Sequence, residues 1–219
     1  MNPHQVTRDF EEALCNYTGA KFAVTTTSCT MAITLALAWF RHRHGETVVG
    51  VPKRTYVGVP SAVLNSGHRL AFYDDPDWED CYFIGPYQSR EDECWWRVQD
   101  CAWEFKRGMF RDAHLSHLDK VMQCLSFHWS KPLGLGQGGA ILLDCEEANS
   151  WLRRARFDGR TEGVKPEDDV IQYPNWHAYL SPETSATGLM RLHSGAFRTD
   201  RIACATDYPD ISTQEAFKS

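Results

Sequence analysis

The chain has 219 residues, which suits one domain, or one with a small appendage, and 42% hydrophobic residues are enough for a real core. A net charge of −6 speaks against a protein that coats nucleic acid. No apolar run is long enough to span a bilayer and the N-terminus shows no signal-peptide pattern, so a cytoplasmic protein is expected (host cytoplasm if the source is viral).

In chain order, residues 7–18, TRDFEEALCNYT, predict a short amphipathic helix stopped by Gly19. KFAVTTT predicts a strand. Ser28-Cys29-Thr30 then opens an apolar helix running to about Gly45, apolar nearly all round and so expected to be buried. TVVGV (47–51) reads as a buried strand, 57–66 as a helix ended by Gly67, and LAFYD (70–74) as a strand ending in acids. CYFIG (81–85), WWRVQD (95–100), MQCLSFH (122–128) and GAILLDC (139–145) are further strands, the last two joined by a glycine-rich turn. EEANSWLRRARF (146–157) is a helix with arginines toward its C-terminal end, and 182–197 is another, with Pro182 near its first turn. The basic groups Arg41, Arg43, Lys53, Arg54 and Arg153, Arg154, Arg156, Arg160 read as solvated helix ends, with a site for a local anionic ligand as the alternative. The 8 cysteines form no C-x-x-C pair and sit mostly in apolar segments, as expected of reduced, buried thiols. His114 and His117 lack an evident third metal ligand, and Trp95-Trp96 read as core or interface packing. Alternating strands and helices predict an α/β three-layer sandwich with a mostly parallel sheet, whose site lies at the carboxyl ends of the strands, where Asp100, Ser126 and Lys131 fall.

Lys131 is the one fully charged residue between Lys120 and Asp144, set among aromatic, apolar and glycine residues in LSFHWSKPLGLGQGGAILLD. The glycines formally satisfy G-x-G-x-x-G, but a strand rather than a helix follows them, and a Walker A loop fails because Lys131 precedes them. A lysine in an apolar pocket loses its water shell, which leaves more neutral, nucleophilic amine able to form a Schiff base with an aldehyde. The bland alternative is a lysine snorkelling from a strand end. A site for pyridoxal 5′-phosphate (PLP) needs such a lysine, an acid for the pyridine nitrogen, an anion cradle and a flat group against the ring. Asp100 at a strand end supplies the acid. Ser28, Cys29 and Thr30 at a helix N-terminus suit the phosphate, although the same triplet serves equally as an N-cap. Tyr56 suits the stacking group, and Ser126, five residues before Lys131, offers a further hydroxyl.

On these residues the chain resembles the DegT/DnrJ/EryC1/StrS family of sugar aminotransferases, whose large domain has the type I PLP-dependent transferase fold. FEEALCNYTGAKFAVTTTSCTMAITLAL is similar to that family's N-terminal helix, strand and phosphate turn. VPKRTYVGVPSAVLNSGHRLAFYD resembles its next strand–helix–strand, VQDCA carries its aspartate, and SFHWSKPLGLGQGG its serine, lysine and glycine turn. NWHAYLSPETSATGLMRL resembles its later helix segment. The resemblance implies that Asn175 reaches the phosphate of a neighbouring subunit, hence a homodimer with the active site at the subunit interface. It places Trp103 where a glutamine or histidine contacts the cofactor's ring oxygen. Cys29, Gln137 and His177 also depart from the family's usual residues. It further implies a reduced large domain over 1–195, with 74–100 shortened by a strand–helix unit, and a short polar tail over 196–219 in place of a small domain.

Three readings of the chemistry stay open. The first is transfer of an amino group from glutamate or glutamine to a nucleotide-linked keto-sugar, Lys131 moving the proton. The second is a decarboxylase or related lyase acting on an amino-acid-like group, in one version attached to a nucleobase in viral DNA and touched only transiently. The third is a non-catalytic relic serving as a binding module, against which the joint presence of Asp100, Ser126 and Lys131 argues.

Overall fold

The computed structural model describes residues 4–87, 96–110, 121–171, 175–198 and 202–218; His114, His117 and Trp95 lie outside them. In chain order come α1 (Gln5–Thr18), β1 (Phe22–Thr26), α2 (Cys29–His44), β2 (Val48–Pro52), α3 (Gly58–Asn65) and β3 (Arg69–Tyr73). Then follow β4 (Tyr82–Pro86), β5 (Arg97–Asp100), β6 (Val121–Ser126), β7 (Gly139–Leu143), α4 (Glu146–Ala155) and α5 (Pro182–Ser194). No helix among the described residues is long and apolar enough to cross a membrane.

The strands form one 7-stranded sheet in the order β1-β7-β6-β5-β4-β2-β3. The expected α/β layering holds, but the sheet is mixed rather than mostly parallel. Only β2/β3 and β5/β6 pair parallel; β1/β7, β7/β6, β5/β4 and β4/β2 pair antiparallel. Connection length explains the difference. A parallel crossover takes about a dozen residues or more, usually with a helix. The segment 74–81 between β3 and β4 is shorter and carries no helix, so β4 enters at the end where β3 leaves off and runs back against β2. The hairpin-like turn 127–138 reverses the chain between β6 and β7 in the same way.

Each face of the sheet carries its own core, because strand side chains alternate. Val24, Met122, Cys124, Ile141 and Leu143 point toward α2, α3 and α4. Ala23, Leu125, Ala140 and Leu142 point toward α1 and α5, with Phe10, Phe127 and Leu180. Helix α2 is the central member of the first layer, buried on every side from Ala32 to Phe40. Trp96 is buried too, stacked on Phe40 at a centroid distance of 4.4 Å, which bears out packing over an exposed patch. In the second layer α5 approaches α1 closely at Gly188, where a Cβ would stand 2.5 Å from the Phe10 ring. Gly188→Ala is therefore expected to destabilise, an overpacking cost of about 1–3 kcal/mol exceeding a gain in helix propensity of at most about 1 kcal/mol. A lower urea midpoint at unchanged slope would show it.

Arg153 and Arg154 of α4 are half-buried and Arg156 at its C-cap is fully buried, so this group is not the solvated helix end read from sequence. Arg156 pairs with Glu11 of α1 and with Glu162, while Arg153 holds the other Glu11 oxygen at 2.7 Å. Both the amide and the hydroxyl of Thr25 on β1 donate to Glu11, at 2.9 and 2.8 Å. The thiols match their expectation in part. All seven cysteines among the described residues are free, but only Cys101 and Cys124 are buried. The polar C-terminal stretch is no loose tail. Ala203, Ala205 and Ile211 are buried, Ile211 N donates to Lys53 O at 3.0 Å, and Arg54 holds Tyr208 O at 3.0 Å. Residues 202–218 thus run as a strap over the segments that follow β2 and precede β4.

Candidate active site

The carboxyl ends of β1, β2, β5 and β6 surround a cavity of about 340 Å³. Of the residues singled out from sequence, Lys131, Asp100, Tyr56, Cys29, Thr30, Ser126 and Trp103 all line it, together with Ser28 and Gln137. Asn175 does not; it stands in the segment leading to α5, near His177, which pairs with Asp158 at 2.7 Å away from the cavity.

Asp100 ends β5 and is 5% exposed. One carboxylate oxygen accepts from Tyr82 Oη at 2.6 Å and the other from the Ala102 amide at 3.0 Å, with Cys29 Sγ 3.8 Å away. Tyr82 has a single proton and gives it to Asp100, so the Thr55 hydroxyl donates to Tyr82 in turn. Burial raises the Asp100 pKa above the usual range despite these donors and the nearby Lys131 charge. A carboxylate held in that state favours an added cation facing it.

Lys131 lies in the turn between β6 and β7, its amide bonded to His128 O at 2.9 Å. Its Nζ sits 3.3 Å from the centre of the Trp103 ring, a cation–π contact. The Trp103 indole in turn donates to Tyr208 Oη at 3.1 Å, so the strap helps orient the residue that faces the lysine. Two arginines hold the turn from outside: Arg191 of α5 donates to Leu133 O and Gly134 O at 3.0 and 2.5 Å, and Arg198 to Trp129 O at 2.7 Å.

The N-terminus of α2 opens into the same cavity. Ser28 is its N-cap, accepting from Met31 N at 3.1 Å, so the capping role read from sequence is present. By helix geometry the amides of Cys29 and Thr30 have no partner inside the helix and suit an anion. Glycine builds this corner. A Cβ on Gly139 would come 2.6 Å from Cys29 N and 2.7 Å from Leu125 O, so only glycine lets β7 start against the α2 turn. A buried acid wanting a cation, a helix N-terminus wanting an anion, and an amine on the cavity wall make a donor set that fits pyridoxal phosphate.

Tyr82, Thr55, Tyr208 and Arg191 were not found from the sequence. The position of Tyr82 depends on β4 pairing antiparallel with β5, which sets Tyr82 directly opposite Asp100. Tyr208 depends on the strap. Neither relation has a local signal. Arg191 falls in a predicted helix, and only the turn it clamps gives it a role.

The fold is that of sugar aminotransferases. The Streptococcus pneumoniae chain Spr1654 superposes at a TM-score of 0.64 with 17% identity, over 86% of this chain and 58% of that one. CalS13 from Micromonospora echinospora gives 0.64 and 16%, over 92% and 70%, and PseC from Helicobacter pylori 0.63 and 18%, over 87% and 58%. The chain thus spans 58% of the length of the pneumococcal protein. In sequence, residues 3–81 match the model of the DegT/DnrJ/EryC1/StrS aminotransferase family; the match covers the first two segments of the resemblance and ends before those that hold Asp100, Ser126, Lys131 and Asn175. No curated protein matches the sequence.

Proposed function

We propose that the chain is a PLP-dependent aminotransferase acting on a keto-sugar carried by a nucleotide, in a homodimer. The observation that carries this is the convergence of Asp100, Lys131 and the α2 N-terminus on one cavity. The family match over 3–81 and the fold support the same reading. So does the pneumococcal sugar aminotransferase Spr1654, which is known in PLP- and PMP-forms.

When bound, the cofactor would supply an aldehyde for an amine and a ring that accepts electrons. Lys131 Nζ is the amine that attaches it and afterwards takes and returns a proton. Asp100 holds the ring nitrogen in its cationic form, its oxygens fixed by Tyr82 and Ala102. The Cys29 and Thr30 amides with Ser126 receive the phosphate, and Tyr56 covers the ring face. Trp103, at the position of the contact to the cofactor's ring oxygen, and Tyr208 wall the cavity beside Lys131. Asn175 would act from a second copy of the chain.

The test is the visible absorption of the purified protein with and without added PLP, beside Lys131→Ala. A yellow band is expected in the wild type and none bound in this way in the variant. Amino transfer from glutamate to a nucleotide-linked keto-sugar should then be measured. A wild type that stays colourless with PLP would overturn the cofactor. Carbon dioxide release without any keto-acid acceptor would overturn the transfer reaction while keeping the cofactor.

A further inference from the structure

Behind the Tyr82–Asp100 pair, on the other face of the sheet, lies a second group of reactive side chains. Tyr82 pairs with Asp100 across the antiparallel ladder, so the residues one step outward, Cys81 and Cys101, also stand opposite each other. Alternation turns Tyr82 toward the cavity and the α2 core, and turns the two cysteines toward the α1–α5 core. A tight turn, Glu104 N to Cys101 O at 3.2 Å, brings the Glu104 carboxylate back onto them. The two thiol sulfurs and a Glu104 oxygen all lie within 4.8 Å of one another.

We propose that Cys81, Cys101 and Glu104 form a binding site for a thiophilic divalent cation, zinc by its chemistry, independent of the cofactor cavity. Two sulfurs and one carboxylate oxygen at this spacing suit a tetrahedral ion with one position left for a further ligand. Gln99 can provide it: its side-chain amide stands 3.0 Å from Cys81 Sγ, and with the Gln99 and Gln123 amides both turned over, the Gln99 oxygen faces the ion while its nitrogen donates to Gln123 Oε1, otherwise a buried acceptor without a donor. A water fills the position otherwise. The surroundings are those of a built site. Cys101 is 1% exposed, Cys81 and Glu104 are half-buried, and the Gln123 side-chain amide braces the far end of the Gln99 amide at 2.9 Å from within the core. Lys106, exposed at its tip and 2.7 Å from Glu104 Oε1, is the cation such an ion would displace.

The ion would tie the start of β4 to the end of β5 just behind Asp100. The segment 74–81 that leads into β4 carries no helix, and the metal supplies a brace on the face opposite the cavity.

The experiment is a cobalt(II) titration of the full chain, purified reduced and stripped with a chelator. Cobalt bound to thiolates gives an intense near-ultraviolet charge-transfer band. That band is expected to saturate at one equivalent and to be displaced by zinc. Cys101 is buried and its replacement risks the fold, so the half-buried Cys81→Ser and Glu104→Gln carry the test, with circular dichroism confirming that they fold. Cys81→Ser should remove the band's strength, and Glu104→Gln should weaken binding at least about tenfold. Cys204→Ser should change nothing. No band in the wild type, or a band that survives Cys81→Ser intact, would overturn the proposal. Formation of a Cys81–Cys101 disulfide in preference to metal uptake under the same reducing conditions would overturn it as well.

Discussion

Replacing Glu11 by alanine is expected to destabilise the chain by about 3–5 kcal/mol, the cost of leaving a buried charge without its partner. Arg156 is fully buried and reaches Glu11, Glu162 and Thr25 O, the last at 2.7 Å. Without Glu11 its charge keeps only Glu162, at 2.9 Å, and the Thr25 amide and hydroxyl lose their acceptor. The network joins α1, β1 and α4, so its loss loosens both layers at once. Replacing the charges together by apolar residues of similar volume should cost less than the single change, since burying the pair is itself expensive. Urea unfolding of Glu11→Ala against Glu11→Met with Arg156→Met measures both. A single change that shifts the midpoint no more than the double one would contradict this account. The pH dependence has a definite sign. Burial pushes the Glu11 pKa up, but Arg156 and Arg153 outweigh it and hold it below the ordinary glutamate value. A depressed folded pKa contributes stability that is fully present above the unfolded pKa and lost as pH falls through the folded one. Acid unfolding of the wild type should therefore be steep below the glutamate range, and shallower in the variant.

Helix and strand positions were legible in the sequence because each is set within about ten residues. Gly19 ends α1 with a φ of 86°, Ser28 caps α2, and apolar runs mark the strands. The residues that line the cavity were legible for the same reason: Asp100, Ser126 and Lys131 end strands or sit in a turn between them. What failed was long-range. Alternating strands and helices predict a mostly parallel sheet, but the helix-free segment 74–81 is too short for a parallel crossover. That one connection reverses β4, and the reversal creates both the Tyr82–Asp100 contact and the cysteine pair behind it. Arg156 misled for a related reason. An arginine at a helix C-terminus normally faces solvent and the macrodipole, and only the acid on α1, 145 positions earlier, draws it into the core.

Asp100→Asn is expected to leave the fold intact and to lower amino transfer at least about 100-fold, the scale of losing one preorganised electrostatic partner in a site. The substitution keeps the shape. Its side-chain oxygen can still accept from Ala102 N, now 3.0 Å from Asp100. Its amide nitrogen then faces Tyr82, whose hydroxyl can accept from it and turn its own proton to Thr55. What disappears is the charge proposed to face the cofactor's ring nitrogen. A pH experiment separates this loss from a general weakening of the site. In the cofactor-free chain, burial first of all raises the Asp100 pKa. Between the ordinary aspartate value, about 3.9, and that raised one, the folded chain holds a proton the unfolded chain has shed. Stability therefore falls as pH rises through this window. A cation at the ring nitrogen keeps Asp100 ionised and removes the penalty, so the gain in Tm on adding PLP should grow with pH across the window. In Asp100→Asn that growth should vanish, leaving only the pH dependence of the phosphate and of attachment to the amine, which both proteins share. An equal rise with pH in the two would mean that Asp100 does not face the ring nitrogen.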